Sequence, residues 1–305
     1  MVGDSYRVGV DVGGTRLRLV AQRASDGDRT EPVEVPVPRS VEAMMNTIER
    51  LVQEVTGGAR ITALAAGLPG HVLGSRCVWV PNLRFLDGVE LGELLTQRTG
   101  VPCQLINDAQ ATLVAEATEG AAKGLSDVVL IAVGTGIGGA FQVGGRVVRG
   151  AHGCGGSFGW LPFPFSTRDD DHGQWERVGA GMVLEELAAP WGATADLLAA
   201  ARTGDAEACR VVSGYAAVLG QGAAGLASIF DPDVIVFAGG LVSAFDLLAE
   251  PMAAAVRAHG SPAGSTVQVV PAALGRSAGV IGALRWTEES SWTVDGRPAH
   301  GNGNH

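Results

Sequence analysis

The chain has 305 residues, 46% of them hydrophobic and 18% charged, with a formal net charge of −10. That length supports one domain or two lobes of roughly 120 to 180 residues, and the acidic balance repels a phosphate backbone, so no nucleic-acid partner is expected. Cys77, Cys103, Cys154 and Cys209 lack CxxC spacing and no basic, apolar, small-residue leader precedes Val8, which points to reduced thiols in a cytoplasmic protein.

Residues 7–22 read as a strand, a glycine hairpin at Gly13-Gly14-Thr15, and a second strand in which Leu17 and Leu19 alternate with Arg16 and Arg18. Ser40 opens an amphipathic helix reaching Thr56, with Met44, Ile48, Leu51 and Val55 on one face. A short strand at 61–67 runs into Leu68-Pro69-Gly70, a helix covers 89–99, and a strand at 102–106 ends at Asn107-Asp108. Because a helix over 109–120 follows, this Asn-Asp pair occupies a strand-to-helix junction, the place where α/β sheets bind ligands.

An apolar strand at 127–133 leads into Gly134-Thr135-Gly136-Ile137-Gly138-Gly139, a strand at 140–143, a Gly144-Gly145 turn and a strand at 146–149. Two glycine hairpins that each join strands suggest a duplicated fold. The Gly-, Pro- and Asp-rich stretch 150–181 is expected to be loop. Helices are predicted over 182–189, 194–202 and 206–230; the apolar part of the last is broken by Gly and Ser and reads as a core helix, so no membrane contact is expected. A buried strand at 234–238 ends in Gly239-Gly240, and helix, strand and helix follow at 244–259, 267–271 and 277–286. The end of the chain lacks periodicity, and 291–305 is expected to be a flexible tail.

Chemistry concentrates in four places. In Asp11-Val12-Gly13-Gly14-Thr15, a turn without side chains lets backbone N–H groups reach a phosphate, Thr15 adds a hydroxyl, and Asp11 can hold Mg²⁺ through water; an ordinary tight hairpin has the same letters. Residues 134–139 spell a dinucleotide fingerprint, but a strand follows where a helix is required, and no Asp or Glu occurs between Val128 and Arg168 to bind a ribose. A second phosphate-gripping hairpin is the better reading. Neither hairpin carries a lysine, and the chain's single lysine is Lys123, which excludes Walker-type and protein-kinase-type sites and leaves charge neutralisation to Mg²⁺, backbone N–H groups and Arg16 or Arg18.

Asn107-Asp108 fits a carboxylate that takes a hydroxyl proton during phosphoryl transfer, beside an amide that fixes a neighbouring hydroxyl; it equally fits a helix cap. Asp231-Pro232-Asp233 turns the chain into a buried strand whose terminal Gly239-Gly240 leaves room for a flat base, or is a structural turn.

Together these segments resemble the ROK family of glucokinase-like sugar kinases and related repressors, over nearly the whole chain. Asp11 to Thr15 looks like the family's first phosphate motif, Leu68-Pro69-Gly70 and Pro81-Asn82-Leu83 like its sugar-lobe segments, and Asn107-Asp108-Ala109 like its catalytic motif. Gly134 to Gly139 with Arg149-Gly150-Ala151 is similar to its second phosphate and signature region, and Asp231 to Gly240 to its adenosine segment. The resemblance implies a two-lobed actin-like or hexokinase (ribonuclease H-like) ATPase fold of class α/β, with duplicated βββαβα lobes: 1–115 plus 278–290, and a larger lobe at 116–277. It further implies ATP and Mg²⁺, a homodimer, Asp108 as general base, and sugar contacts from Gly70, Asn82, Asn107 and Glu176. Phosphate and nucleotide contacts fall to Asp11, Gly13, Gly14, Thr15, Arg16, Gly134, Thr135, Gly136, Gly239 and Gly240.

Two departures bear on the substrate. The family's Glu-x-Gly-His sugar motif reads Ser157-Phe158-Gly159-Trp160 here, and its zinc-binding cysteine cluster is replaced by residues 169–175, so no structural zinc is expected. Losing a carboxylate beside a ring hydroxyl removes about 1.5–3 kcal/mol of charge-assisted hydrogen bonding. The expected acceptor is therefore an altered ring, an amino sugar such as kanosamine, a deoxy sugar or a C7-cyclitol, with Ser157 beside it and Trp160 over an apolar ring face. A catalytically silent sugar-binding regulator is the alternative. The family's repressors carry an extra N-terminal helix-turn-helix, whereas here the first phosphate strand begins by Arg7.

Overall fold

The computed structural model describes residues 4–164 and 172–288, so the expected tail at 291–305 and part of the 150–181 segment lie outside the described residues. In the first half, β1 (Ser5–Val12) and β2 (Arg16–Arg23) form the expected hairpin, and β3 (Val33–Pro36) extends it. Helix α1 (Val41–Thr56) begins at Ser40, whose Oγ accepts from the Ala43 N–H at 3.3 Å, and ends at Gly57 in the left-handed region. Then come β4 (Arg60–Leu68), a small hairpin of β5 (His71–Leu73) and β6 (Arg76–Trp79), α2 (Leu91–Thr99), β7 (Cys103–Asn107) and α3 (Asp108–Glu119). These strands order as β3-β2-β1-β4-β7, with β1, β4 and β7 parallel.

The second half repeats the plan. Strands β8 (Val128–Val133), β9 (Ile137–Val143) and β10 (Arg146–Val147) are antiparallel; α4 (Glu176–Gly179), α5 (Gly181–Leu187), α6 (Thr194–Arg202) and α7 (Ala206–Phe230) lead to β11 (Val234–Gly239), α8 (Phe245–His259), β12 (Gln268–Pro271) and α9 (Ala278–Trp286). The sheet order β10-β9-β8-β11-β12 mirrors the first, so the duplication suggested by the paired hairpins is a topological one. No helix among the described residues is long and apolar enough to cross a membrane.

Strand alternation explains how the layers stack. Val8, Val10 and Val12 point to one side of the first sheet, into a core with Met44, Ile48 and Leu51 of α1. On the other side an added Cβ at Gly9 would lie 2.5 Å from the Leu284 nitrogen, so α9 rests directly on the strand backbone. In the second sheet Val129, Ile131 and Val133 face the large core around α7, while Val128, Leu130 and Val236 face Leu113 and Val114 of α3. Helices α3 and α9 thus lie between the two sheets and touch each other where a Cβ on Gly282 would overlap the Ala111 carbonyl. Each fully buried Leu or Val here contributes roughly 1.5–3 kcal/mol of burial. Helix α3 runs unbroken across 115–116, and α9 packs on β1, β2 and β4 although its chain arrives from the second sheet.

Three strands were not predicted from the sequence. β3 is flanked by Pro32, Pro36 and Pro38, which reads as loop, yet an edge strand loses nothing by a missing N–H on its open side. β5 and β6 are too short for a periodicity to register. The strand expected over 146–149 stops at Val147, because Arg149 turns its carbonyl to the Gly155 N–H at 2.8 Å. Within 150–181 the described residues hold a turn at Phe158–Trp160 as well as α4.

Candidate active site

Parallel β1, β4 and β7 open their C-terminal ends on one edge, and their registers align Asp11 with Gly67 and Leu68 with Asn107. Asp11, Asn107 and Asp108 are therefore carried to the same edge by neighbouring strands. Asn107 is the cap of α3: its Oδ1 accepts from the Ala109 N–H at 2.9 Å and the Gln110 N–H at 3.4 Å. Its Nδ2 donates to the Gly70 carbonyl at 2.6 Å, leaving its second hydrogen to offer a ligand. Gly70 has φ +85°, and any side chain there would collide with the Trp79 carbonyl, so the turn that offers the Gly70 carbonyl to Asn107 admits only glycine.

With the cap supplied by Asn107, Asp108 carries a carboxylate whose Oδ1 accepts from the Ala109 N–H at 2.7 Å. Its side chain is exposed, yet desolvation by the surrounding protein, reinforced by the negative charge of Asp11, pushes its carboxyl up to about 6. Asp11 is itself pushed up by burial, against the lowering influence of Arg18, whose Nη1 stands 3.3 Å from Oδ2. An added Cβ on Gly279, at the start of α9, would lie 2.8 Å from the Asp11 Cγ. A buried carboxylate with one stretched cation partner fits the expected role of holding a hydrated divalent ion.

The first glycine hairpin closes through the Gly13 N–H to the Arg16 carbonyl at 2.8 Å, and Gly14 packs against Asn82, where a Cβ would lie 3.1 Å from the Asn82 Cβ. Thr15 is exposed at the tip. Arg16 leans away to Glu34 at 3.5 Å, while Arg18 bridges Asp11 and Glu34, so Arg18 is the guanidinium nearer the carboxylates. In the second hairpin Gly134 donates to the Gly136 carbonyl at 2.9 Å and accepts from the Gly181 N–H, at the start of α5, at 2.8 Å. Thr135 is exposed, and the space around Gly134, Gly138 and Gly240 is open where a Cβ would stand, a bare backbone surface of the kind a phosphate or base approaches. Gly239 pairs with Val133, which sets the end of β11 beside this hairpin.

Glu176 sits behind the second hairpin: its Oε2 accepts from the Ile137 N–H at 2.7 Å, and a side chain on Gly136 would overlap it. Ser157 is exposed and donates to the Cys154 carbonyl at 2.8 Å, Trp160 is 44% exposed, and Phe158 between them is buried against Phe141 and Phe230. The halves also meet through His71, whose Nε2 lies 2.6 Å from the His152 carbonyl, and through Gly153, packed on the Val72 carbonyl. Among the described residues no cluster of three or more His, Cys, Asp or Glu side chains could hold a metal ion. Asp233, in the expected adenosine segment, accepts from the Ser126 and Asp127 N–H groups and staples β11 to β8. Sequence reading missed Gly279 and Gly181, whose contacts with Asp11 and Gly134 span long stretches of chain and leave no local signal.

Two mirrored sheets clasping a pair of crossed helices, with glycine hairpins and carboxylates at the strand ends, define a two-lobed, actin-like ATPase fold of the hexokinase type. Solved structures share it: a ROK family glucokinase from Streptomyces griseus in complex with glucose and AMPPNP superposes with a TM-score of 0.75 at 27% identity, covering 92% of this chain and 99% of that one. A ROK hexokinase from Thermus thermophilus gives 0.75 at 31% identity, over 92% and 97%. The ROK family model matches residues 7–290, and the glucokinase of Streptomyces coelicolor is 30% identical over 92% of this chain and 97% of its own length. The chain belongs to the ROK family. An N-acetylmannosamine kinase from Escherichia fergusonii is likewise 30% identical, over 90% of this chain and 95% of its own length.

Proposed function

We propose that this protein is an ATP-dependent sugar kinase that phosphorylates the primary hydroxyl of a hexose, an amino sugar such as kanosamine, or a related cyclitol. The observation that carries the reading is Asp108: a carboxylate beside the Asn107 cap at the strand-to-helix junction, pushed up to about 6 by desolvation and by the charge of Asp11. A base poised near the working pH takes the hydroxyl proton as the oxygen attacks the γ-phosphorus of ATP, and ADP leaves. Asn107 and Gly70 hold the acceptor end, with Asn82 beside the first hairpin. Gly13 and Gly134 close the two turns with their own N–H groups, the backbone of Gly14 and Gly136 offers N–H groups to the phosphates, and Gly239 and Gly240 receive the adenine end. Mg²⁺, held through water by Asp11, would supply charge neutralisation to the triphosphate.

Acceptor choice follows from Ser157 and Trp160. With neither carboxylate nor imidazole at those positions, glucose loses two charge-assisted partners, and an amino, deoxy or cyclitol ring suits an aromatic face and a small hydroxyl. The kinase relatives named above act on glucose or on an amino sugar by their names, which supports this range. The test is a mass-spectrometric screen for the gain of one phosphate across hexoses, amino sugars and cyclitols with ATP. Glucose outperforming every modified ring overturns the acceptor reading; binding of a sugar without any phosphoryl transfer makes the chain a silent regulator.

A further inference from the structure

Chain passes between the halves in two places: 120–127, from α3 to β8, and 272–277, from β12 to α9. One side chain grips both. Glu116, fully buried in the last turns of α3, accepts from the Ala121 N–H at 2.8 Å and the Ala273 N–H at 3.0 Å through Oε2, and from the Leu274 N–H at 2.9 Å through Oε1. No Arg or Lys pairs with it among the described residues. A buried charge is costly unless fully hydrogen-bonded, and three main-chain donors meet that need without the slack of a long cationic side chain. A Cβ on Gly120 would overlap the carboxylate, so the pocket is closed around it.

The clamp ties the C-terminal end of α3 to the chain just ahead of α9, and both helices reach the catalytic edge at their N-terminal ends. Helix α3 begins at Asp108, and α9 places Gly279 against the Asp11 carboxylate. We infer that Glu116 is a positioning residue whose carboxylate locks the α3–α9 pair, so that Asp108 keeps its station opposite Asp11 while the halves move about the two crossings. The inference rests on the kinase reading for its catalytic consequence. Glu116 stands eight residues from Asp108, about 12 Å along the helix axis, so a tilt of about 5° at the clamp moves Asp108 by about 1 Å. A displacement of that size can cost about 100-fold in rate.

Glu116→Gln keeps the shape but sets an amide donor against a backbone donor. Gly120→Ala leaves the charge and pushes the carboxylate aside. Both variants are expected to lower kcat by about 10- to 100-fold with KM for ATP and acceptor within about threefold, and to raise amide exchange at Ala121, Ala273 and Leu274. Leu51→Ala, a core truncation on the opposite face of the first sheet, serves as the control for lost stability and should keep kcat. Wild-type kcat in Glu116→Gln, or a loss no larger than that of Leu51→Ala at equal melting temperature, overturns the inference. A wild-type chain inactive on every acceptor defeats the kinase reading instead; unchanged exchange in both variants then still overturns the clamp.

Discussion

Replacing Asp108 with Asn tests catalysis and electrostatics together. The variant preserves shape and can still accept from the Ala109 N–H, but it cannot take a proton. General base catalysis contributes about 10²–10⁴-fold, so kcat should fall by that factor while acceptor and nucleotide binding persist. A wild-type carboxyl at about 6 is about nine-tenths ionised at pH 7, half at pH 6 and a tenth at pH 5. Wild-type kcat/KM should accordingly drop about tenfold between pH 7 and pH 5, and this acid limb should vanish from the residual activity of the variant. Stability moves the other way. The carboxyl is raised from an ordinary value of 3.8 to about 6, so the fold favours the protonated acid; that contribution is full below pH 3.8 and is lost as pH rises through about 6. Asp108→Asn should therefore melt at a higher temperature than wild type at pH 7.5, with the gap closing as pH falls below about 4. Coupled-assay pH profiles and thermal melts of both proteins check the two halves. Turnover within tenfold of wild type, or a wild-type profile flat between pH 5 and pH 8, would refute the reasoning.

Three further perturbations separate other parts of the account. Gly282→Ala drives a methyl into the Ala111 carbonyl at the helix crossing and should cost about 1–3 kcal/mol in urea unfolding, despite the better helix propensity of Ala. Ser157→Glu combined with Trp160→His restores the charge-assisted sugar contacts that the family motif provides, worth about 1.5–3 kcal/mol, so glucose kcat/KM should rise about 10- to 150-fold. Glu119→Gln breaks the pairs with Arg29 and Arg285 near the C-terminal end of α3 and should destabilise by about 1 kcal/mol. Hydrogen bonding to Arg29 is the largest influence holding the Glu119 carboxyl down, to about 2 from an ordinary 4.5. Its contribution is thus present above pH 4.5 and lost as pH falls through about 2, and the melting difference from wild type should shrink over that window.

What could be read from the residues alone was whatever depends on near neighbours in the chain. The alternation of Leu17 and Leu19 with Arg16 and Arg18, the Ser40 cap ahead of a helical apolar stripe, and the junction of an apolar strand with Asn107-Asp108 all lie within a few residues of each other, and the structure forms each of them. Helices α6 and α7 begin and end where the periodicity does, because Asp205 caps α7 locally. The paired glycine hairpins, two short patterns of one kind, announced the repeated topology.

Other features were decided only by long-range packing. Whether Asn107 or Asp108 caps α3 is undetermined by composition, since both are good caps; the Gly70 carbonyl accepts from the Asn107 amide, whose Oδ1 is then aimed at the Ala109 and Gln110 N–H groups. The charge of Asp11 is felt at Asp108 because only β4 lies between their strands, and Gly279 reaches Asp11 only because α9 returns from the second sheet to lie on the first. Glu116 reads in sequence as an ordinary helix acid, and its three partners include two that lie more than 150 residues downstream. Helix and strand patterns are set by torsions and periodicity within a turn or two, whereas the field at a carboxylate is set by every atom packed around it, whatever its place in the chain.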